Sequence, residues 1–201
     1  SYPMALSAIS FFLMQSTDVL FISAYDTFDS VAYYSIAVKL ASVTALALIS
    51  VNIVIAPKIA TIYNDKNFYE LKSILKKATR INVVISLPII IVLLCFSEYI
   101  LSTFGINYVL AKSALWVLLI AQFFNSVTGP SALYLNMTGR QKKLNVILLI
   151  SLLINIVLNI ILVPAYGMLG AAISTTASFI ISKIFASALV LYLDNVKTFI
   201  S

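Results

Sequence analysis

The chain has 201 residues, 62% of them hydrophobic and 10% charged, with 13 Lys and Arg against 7 Asp and Glu and a mean hydropathy of +1.06. Soluble domains are about 45–50% apolar and about 25% charged, so a water-facing globule of this composition would lack the polar groups to cover itself; the exterior is expected to face lipid. The net charge of +6 then reads as an orientation signal, not a nucleic-acid footprint, and one cysteine with no histidine argues against an internal disulfide or a metal site of the usual nitrogen and sulfur ligands.

The first apolar run covers about residues 2–25. It begins at once after Ser1, without a charged leader region or a small-residue cleavage site, so it does not read as a signal peptide. The expectation is a chain preceded by a further N-terminal portion. Within this run Asp18 is the lone charge. A second run covers about residues 31–63, its apolar part ending near Pro57, and contains Lys39. Counted from the short loop between the two runs, Asp18 and Lys39 lie at nearly the same depth. An unpaired charge in a span costs roughly 2.5–3.5 kcal/mol on the insertion scale, so an Asp18–Lys39 pair facing the bundle interior is expected. The pair either fixes packing or lines a wet cavity.

The next stretch, Phe68 to Ile81, repeats Phe68, Leu71, Leu75, Ala78 and Ile81 at helical spacing, with Lys72, Lys76 and Arg80 on another face. It reads as a helix in the membrane interface or as an extension of the third run, about residues 81–101. Pro88 lies inside that third run, where a kink is expected. Cys95, near its end, reads as an inert packed thiol.

The fourth run, about 114–135, carries Gln122 and Asn125 three residues apart. The fifth, about 144–163, carries Ser151, Asn155 and Asn159 at i, i+4, i+8. The sixth, about 169–193, carries Ser174, Ser178 and Ser182 in the same spacing, with Lys183 beside them. Such stripes mark helix–helix contacts more often than cavity walls. Gly167 and Gly170 suit a tight turn and a close helix approach. Lys183 has no acidic neighbour in its own run, so it either snorkels toward head groups or faces a cavity that takes an anion. Each run is near the roughly 20 residues that cross the hydrocarbon, and none alternates as a membrane strand would. The fold class is therefore an all-α membrane protein of six transmembrane helices, with residues 64–80 a basic amphipathic connection.

The connections divide by charge. Those after the second and fourth runs, with the tail, hold Lys58, Lys66, Lys72, Lys76, Lys77, Arg80, Arg140, Lys142, Lys143 and Lys197, whereas the opposite side holds Lys112. The positive-inside rule puts both ends of the chain in the cytoplasm. No catalytic constellation or cofactor motif emerges: there is no histidine base, no paired carboxylate in a span, and Glu98 has no evident partner.

The segments "PMALSAISFFLMQSTDVLFIS", "VAYYSIAVKLA", "FGINY", "GPSALYLNMTGRQKK" and "NIVLNIILVPAYGMLGAAISTTAS", in that order, resemble the polysaccharide transporter branch of the MOP superfamily, which includes the O-antigen-type flippases. The resemblance implies the C-terminal six-helix lobe of a MATE-like transporter, with an N-terminal lobe as its partner. It implies flipping of an undecaprenyl-pyrophosphate-linked oligosaccharide across the bacterial inner membrane, in contact with membrane lipids and with no covalent change to the substrate. Lys39, Lys183 and Arg140 would form a cationic substrate-binding cavity, and Asp18 would serve as a counter-ion or in proton or cation coupling. A drug/cation antiporter of the same superfamily, a lipid II-type flippase and a non-transporting scaffold are the alternatives.

Overall fold

A computed structural model describes residue 13, residues 16–194 and residues 196 and 198. The rest of the first expected run and Lys197 lie outside the described residues. Residues 16–25 are helical (α1). Then come α2 (Phe28–Val43), α3 (Ala45–Asn64), α4 (Phe68–Cys95), the short α5 (Ser97–Ser102), a 3-10 turn (Ile106–Ala111), α6 (Lys112–Thr128), the short α7 (Ser131–Met137) and the long run α8 (Gln141–Asp194).

The helices begin and end where the sequence offers the chemistry. Thr27 caps α2 by accepting from the Ser30 N–H at 3.3 Å. Asn67 accepts from the Glu70 N–H at 3.2 Å and donates to the Glu70 carboxylate at 3.0 Å, a reciprocal cap that starts α4 at Phe68. The helix then runs on without a break, through Arg80 and Pro88 to Cys95, so the basic stretch is the extension of the third run. Leu71, Leu75 and Ala78 are buried and Lys72, Lys76 and Arg80 exposed.

Two expected spans are interrupted. The second is two helices bent by 48° around Thr44. There the hydroxyls of Ser42 and Thr44 bond back to the carbonyls of Lys39 and Ala41, at 2.7 and 2.6 Å, which competes with the helical ladder and favours a bend. The fourth ends at Thr128, because Gly129 takes a positive φ of 63° and Pro130 brings no N–H to continue the ladder. A Cβ on Gly129 would lie 2.2 Å from Thr79 Oγ1, so the chain passes α4 closer than any side chain allows.

Within α8, Gly167 has φ 55° and ψ −133°, which folds the run into two limbs, residues 141–166 and 168–194. Gly170 then packs so closely that a Cβ would meet the Leu162 carbonyl oxygen at 2.3 Å. Three described helices are long and apolar enough to cross a bilayer, or four if the bent α2–α3 pair is one span.

Polarity runs inside out. In the first limb of α8, Ser151, Asn155 and Asn159 are buried, while Leu153, Val157 and Ile161 are 62, 54 and 61% exposed. A helix that hides its amides and displays its aliphatics has lipid for a solvent. The interior is layered. One apolar cluster gathers Ile22, Tyr34, Ala37, Ala41, Ile90, Leu93, Leu115 and Val163, and another Ile59, Leu71, Leu75, Tyr134, Leu144 and Val190. Following any helix from one cluster to the other crosses buried polar residues: Thr44, Asn82 and Ser86, Asn125 and Ser126, Ser151 to Asn159, Ser174 to Ser182. The fold places its polar side chains in a middle layer between two greasy ends.

Candidate functional site

Asp18 lies in that middle layer and is 1% exposed. Four side chains from three other segments converge on its carboxylate. The Tyr34 hydroxyl of α2 donates to Oδ2 at 2.7 Å. The Thr175 hydroxyl, from the second limb of α8, donates to the same oxygen. From the first limb, Asn159 donates to Oδ1 at 2.9 Å and Asn155 at 3.3 Å. The donors also bond one another: Asn155 Nδ2 reaches Thr175 Oγ1 at 3.1 Å, and Asn159 Nδ2 reaches Asn155 Oδ1 at 3.2 Å. Hydrogen bonds of this kind to a carboxylate are the strong ones, and they offset part of its desolvation.

The expected Asp18–Lys39 ion pair is not formed among the described residues, whose two ion pairs are Lys112–Glu98 and Arg140–Asp194. The physical reason is azimuth. Tyr34, Ala37 and Ala41 point α2 into the bundle. Lys39, five residues after Tyr34, is turned about 140° away at roughly 100° per residue.

Lys39 nonetheless lines the cavity that reaches Asp18. This cavity, ≈ 640 Å³ in volume, is walled by α1, α2, α3, α6 and the second limb of α8; Asp18, Tyr34, Lys39, Gln122, Thr175 and Lys183 are its polar landmarks. That volume is in the range of small-molecule sites. Lys183 enters from the second limb of α8, its ammonium 5.4 Å from the Phe179 ring centroid, a cation–π distance. Neither lysine has a carboxylate partner among the described residues. The wall thus offers two ammonium groups, while the one carboxylate on it is already engaged by neutral donors.

Arg140 is elsewhere. Gly139, with φ 74°, ends α7, and the Arg140 N–H returns to the Leu135 carbonyl at 2.9 Å, a Schellman-type close. This directs the guanidinium to Asp194 at the end of α8, which it grips through both terminal nitrogens. Tyr134 adds a hydrogen bond to Asp194 at 2.7 Å, and the Tyr63 hydroxyl of α3 accepts from Arg140 at 3.1 Å. The bonds to Asp194 outweigh partial burial and hold the guanidinium pKa above its ordinary range. The cluster clasps α3, α7 and α8 together, and Arg140 is not among the cavity-lining residues.

At the opposite end, Lys112 meets Glu98 at 2.6 Å and lies 4.8 Å from the Trp116 ring centroid, so Glu98 does have a partner; the hydrogen bond with Lys112 holds its carboxyl below the usual range. Asp18, Lys39 and Lys183 are therefore brought to one cavity and Arg140 is not. Tyr34 and Thr175, which complete the Asp18 shell, are not evident in the sequence; only the Asn155–Asn159 spacing foreshadows it.

Comparison with known proteins adds three findings. Residues 3–161 match the profile of the MatE family. Among curated proteins, a "Putative O-antigen transporter" of Shigella flexneri is 30% identical over 148 residues, which is 73% of this chain and 35% of that protein. A "Probable low-salt glycan biosynthesis flippase" of Haloferax volcanii is 26% identical over 183 residues, 89% of this chain and 38% of that protein. Among solved structures, an outward-facing multidrug resistance MATE family transporter of the MOP superfamily superposes with a TM-score of 0.80 at 19% identity, over the whole chain and 45% of that structure. A MOP superfamily transporter from Pyrococcus furiosus, described with a binding pocket of reverse polarity, gives 0.80 at 18% identity with the same coverage. The chain thus spans about a third of the length of the curated relatives it matches.

Proposed function

The chain belongs to the MatE family of membrane transporters, and on that premise we propose that it is one lobe of a flippase that moves a lipid-linked oligosaccharide across the membrane for surface polysaccharide synthesis. One observation carries the reading: the cavity wall presents Lys39 and Lys183 without carboxylate partners among the described residues, while the oxygens of its acid, Asp18, are already taken up by hydrogen bonds from Tyr34, Thr175, Asn155 and Asn159. An anionic group fits such a wall and a cationic drug does not. The pyrophosphate of an undecaprenyl-pyrophosphate-linked glycan supplies that anion. The names of the Shigella and Haloferax relatives support the same direction.

Six spans make up the lobe in this reading: α1 with the residues before it, the bent α2–α3 pair, α4, α6 with the turn ahead of it, and the two limbs of α8. Both ends of the chain lie in the cytoplasm of a bacterial inner-membrane protein, on the side of the basic connections. A second lobe closes the cavity, and rocking of the two lobes gives alternating access with no bond made or broken in the substrate. Asp18 is the coupling group: a proton or a small cation exchanges against its shell of donors as the lobe changes state. Arg140 holds the cytoplasmic end of the lobe together rather than binding substrate.

A second reading, a drug/cation antiporter, is favoured by the multidrug transporter with which the fold superposes. The two are separated by replacing Lys39 and Lys183 singly by Ala in the full-length protein and measuring surface glycan and lipid-linked intermediates. The flippase reading expects loss of surface polymer, with intermediates retained on the inner leaflet. Normal glycan from well-expressed variants, with altered drug efflux instead, overturns it.

A further inference from the structure

Behind the cavity, α4 carries Asn82 and Ser86 one turn apart, 0 and 2% exposed. Both side chains reach backbone on other helices. Asn82 Nδ2 donates to the Ser126 carbonyl at 3.3 Å. In an unbroken helix that carbonyl would accept from residue 130, but residue 130 is proline and has no N–H. The amide of Asn82 therefore replaces the bond that the α6–α7 break removes. Ser86 Oγ lies 3.3 Å from the Thr44 carbonyl, at the α2–α3 bend, and 3.3 Å from Asn82 Oδ1, so its single proton is shared between the two acceptors. One connected pair of side chains thus touches both helix interruptions.

The same two interruptions frame the cavity. Lys39, Ser42, Ala45 and Leu46 line it on either side of Thr44, and Gln122 and Asn125 line it just ahead of Ser126. We infer that Asn82 and Ser86 are positioning residues that tie the α2–α3 bend to the end of α6, so that the two walls of the cavity shift as one unit. Each break by itself would flex independently, because hydroxyl back-bonding at Thr44 and the missing donor at Pro130 both weaken the ladder. Fastened to the unbroken α4, they share a support. The purpose of the tie rests on the transport reading, but the tie itself does not.

The test is thiol labelling of the full-length protein in membrane vesicles, in a cysteine-free background that includes Cys95→Ala. Ser42→Cys reports on the α2–α3 wall, Gln122→Cys on the α6 wall and Phe179→Cys on the α8 wall, which the tie does not touch. Labelling by a membrane-impermeant maleimide needs no substrate, so its outcome is independent of whether the protein flips glycans. Ser86→Ala and Asn82→Asp are each expected to change the labelling rate at both Ser42→Cys and Gln122→Cys by about five-fold, what one ordinary hydrogen bond moves in a two-state balance. Phe179→Cys keeps its rate. Ser86→Thr, which retains the hydroxyl, returns both reporters to the parental rate. Reporters that answer only to the substitution beside them, a shift common to all three, or no shift at all overturns the proposal. Ser86→Ala removes one oxygen only and suffices as the test if Asn82→Asp does not reach the membrane.

Discussion

Tyr34 of α2 donates a hydrogen bond from its hydroxyl to the Asp18 carboxylate of α1 at 2.7 Å, inside a bundle whose outer surface is rich in exposed apolar side chains. This contact, with those from both limbs of α8, turns a charge that would be costly in a span into a structural centre. Removing one donor leaves the charge in place and underserved. Tyr34→Phe is therefore expected to lower stability by about 1–3 kcal/mol, the range for a lost hydrogen bond to a charged group. Thermal unfolding in detergent measures it, and a melting midpoint equal to the parent's would show that the carboxylate is satisfied another way.

Lys183 is the opposite case, a charge in the bundle without a counter-charge among the described residues. A residue kept for binding at a cost in stability has a signed consequence. Lys183→Met is expected to raise the melting midpoint while lowering glycan export, because an apolar side chain of similar length sits more favourably in a span. Lys183→Arg retains the charge and should retain part of the export. A methionine variant that is both less stable and fully active would place Lys183 outside the binding wall.

Arg140 holds Asp194 through two nitrogens and touches Tyr63 with one of them. A lysine keeps the charge but cannot reproduce that fork. Arg140→Lys should cost about 1–2 kcal/mol in thermal unfolding, from the lost charge-assisted hydrogen bonds. Apparent affinity for the exported glycan should stay near the parental value, since Arg140 does not line the cavity. A loss of affinity with unchanged stability would return Arg140 to the substrate site.

Gly129 and Gly139 make an instructive contrast. Both have positive φ, 63° and 74°, so alanine is strained at each, and more so at Gly129, whose ψ of −158° lies in a region essentially reserved for glycine. A Cβ at Gly139 meets nothing within 4 Å, whereas one at Gly129 meets Thr79 Oγ1 at 2.2 Å and the Thr198 carbonyl at 2.6 Å. Gly139→Ala should cost about 1–2 kcal/mol, the left-handed penalty alone. Gly129→Ala should exceed about 4 kcal/mol or fail to accumulate in the membrane. Equal midpoints for the two would mean that α4 yields to the intruding methyl.

The sequence by itself determined the solvent of the protein, its helical class and the kind of residue that had to be inside. Long apolar runs, the division of bases between connections and the isolated Asp18 depend only on composition and on distance along the chain. Family resemblance was legible in the same way, from ordered motifs. Even the Asn155–Asn159 spacing announced a polar face, although not what it faced. The tertiary structure decided the rest. Counting along a helix leaves a side chain's direction open, so Asp18 and Lys39 were wrongly paired: Asp18 meets Tyr34 instead, five residues earlier on α2. The bend at Thr44 and the break at Gly129 come from local hydroxyl bonding and a missing proline donor, both steadied by α4, which is remote in sequence. Arg140 left the expected cavity because the αL turn at Gly139 aimed it at Asp194, 54 residues away. A site assembled from α1, α2 and both limbs of α8 exists only once those segments are packed, and no periodicity along one chain can encode which faces meet.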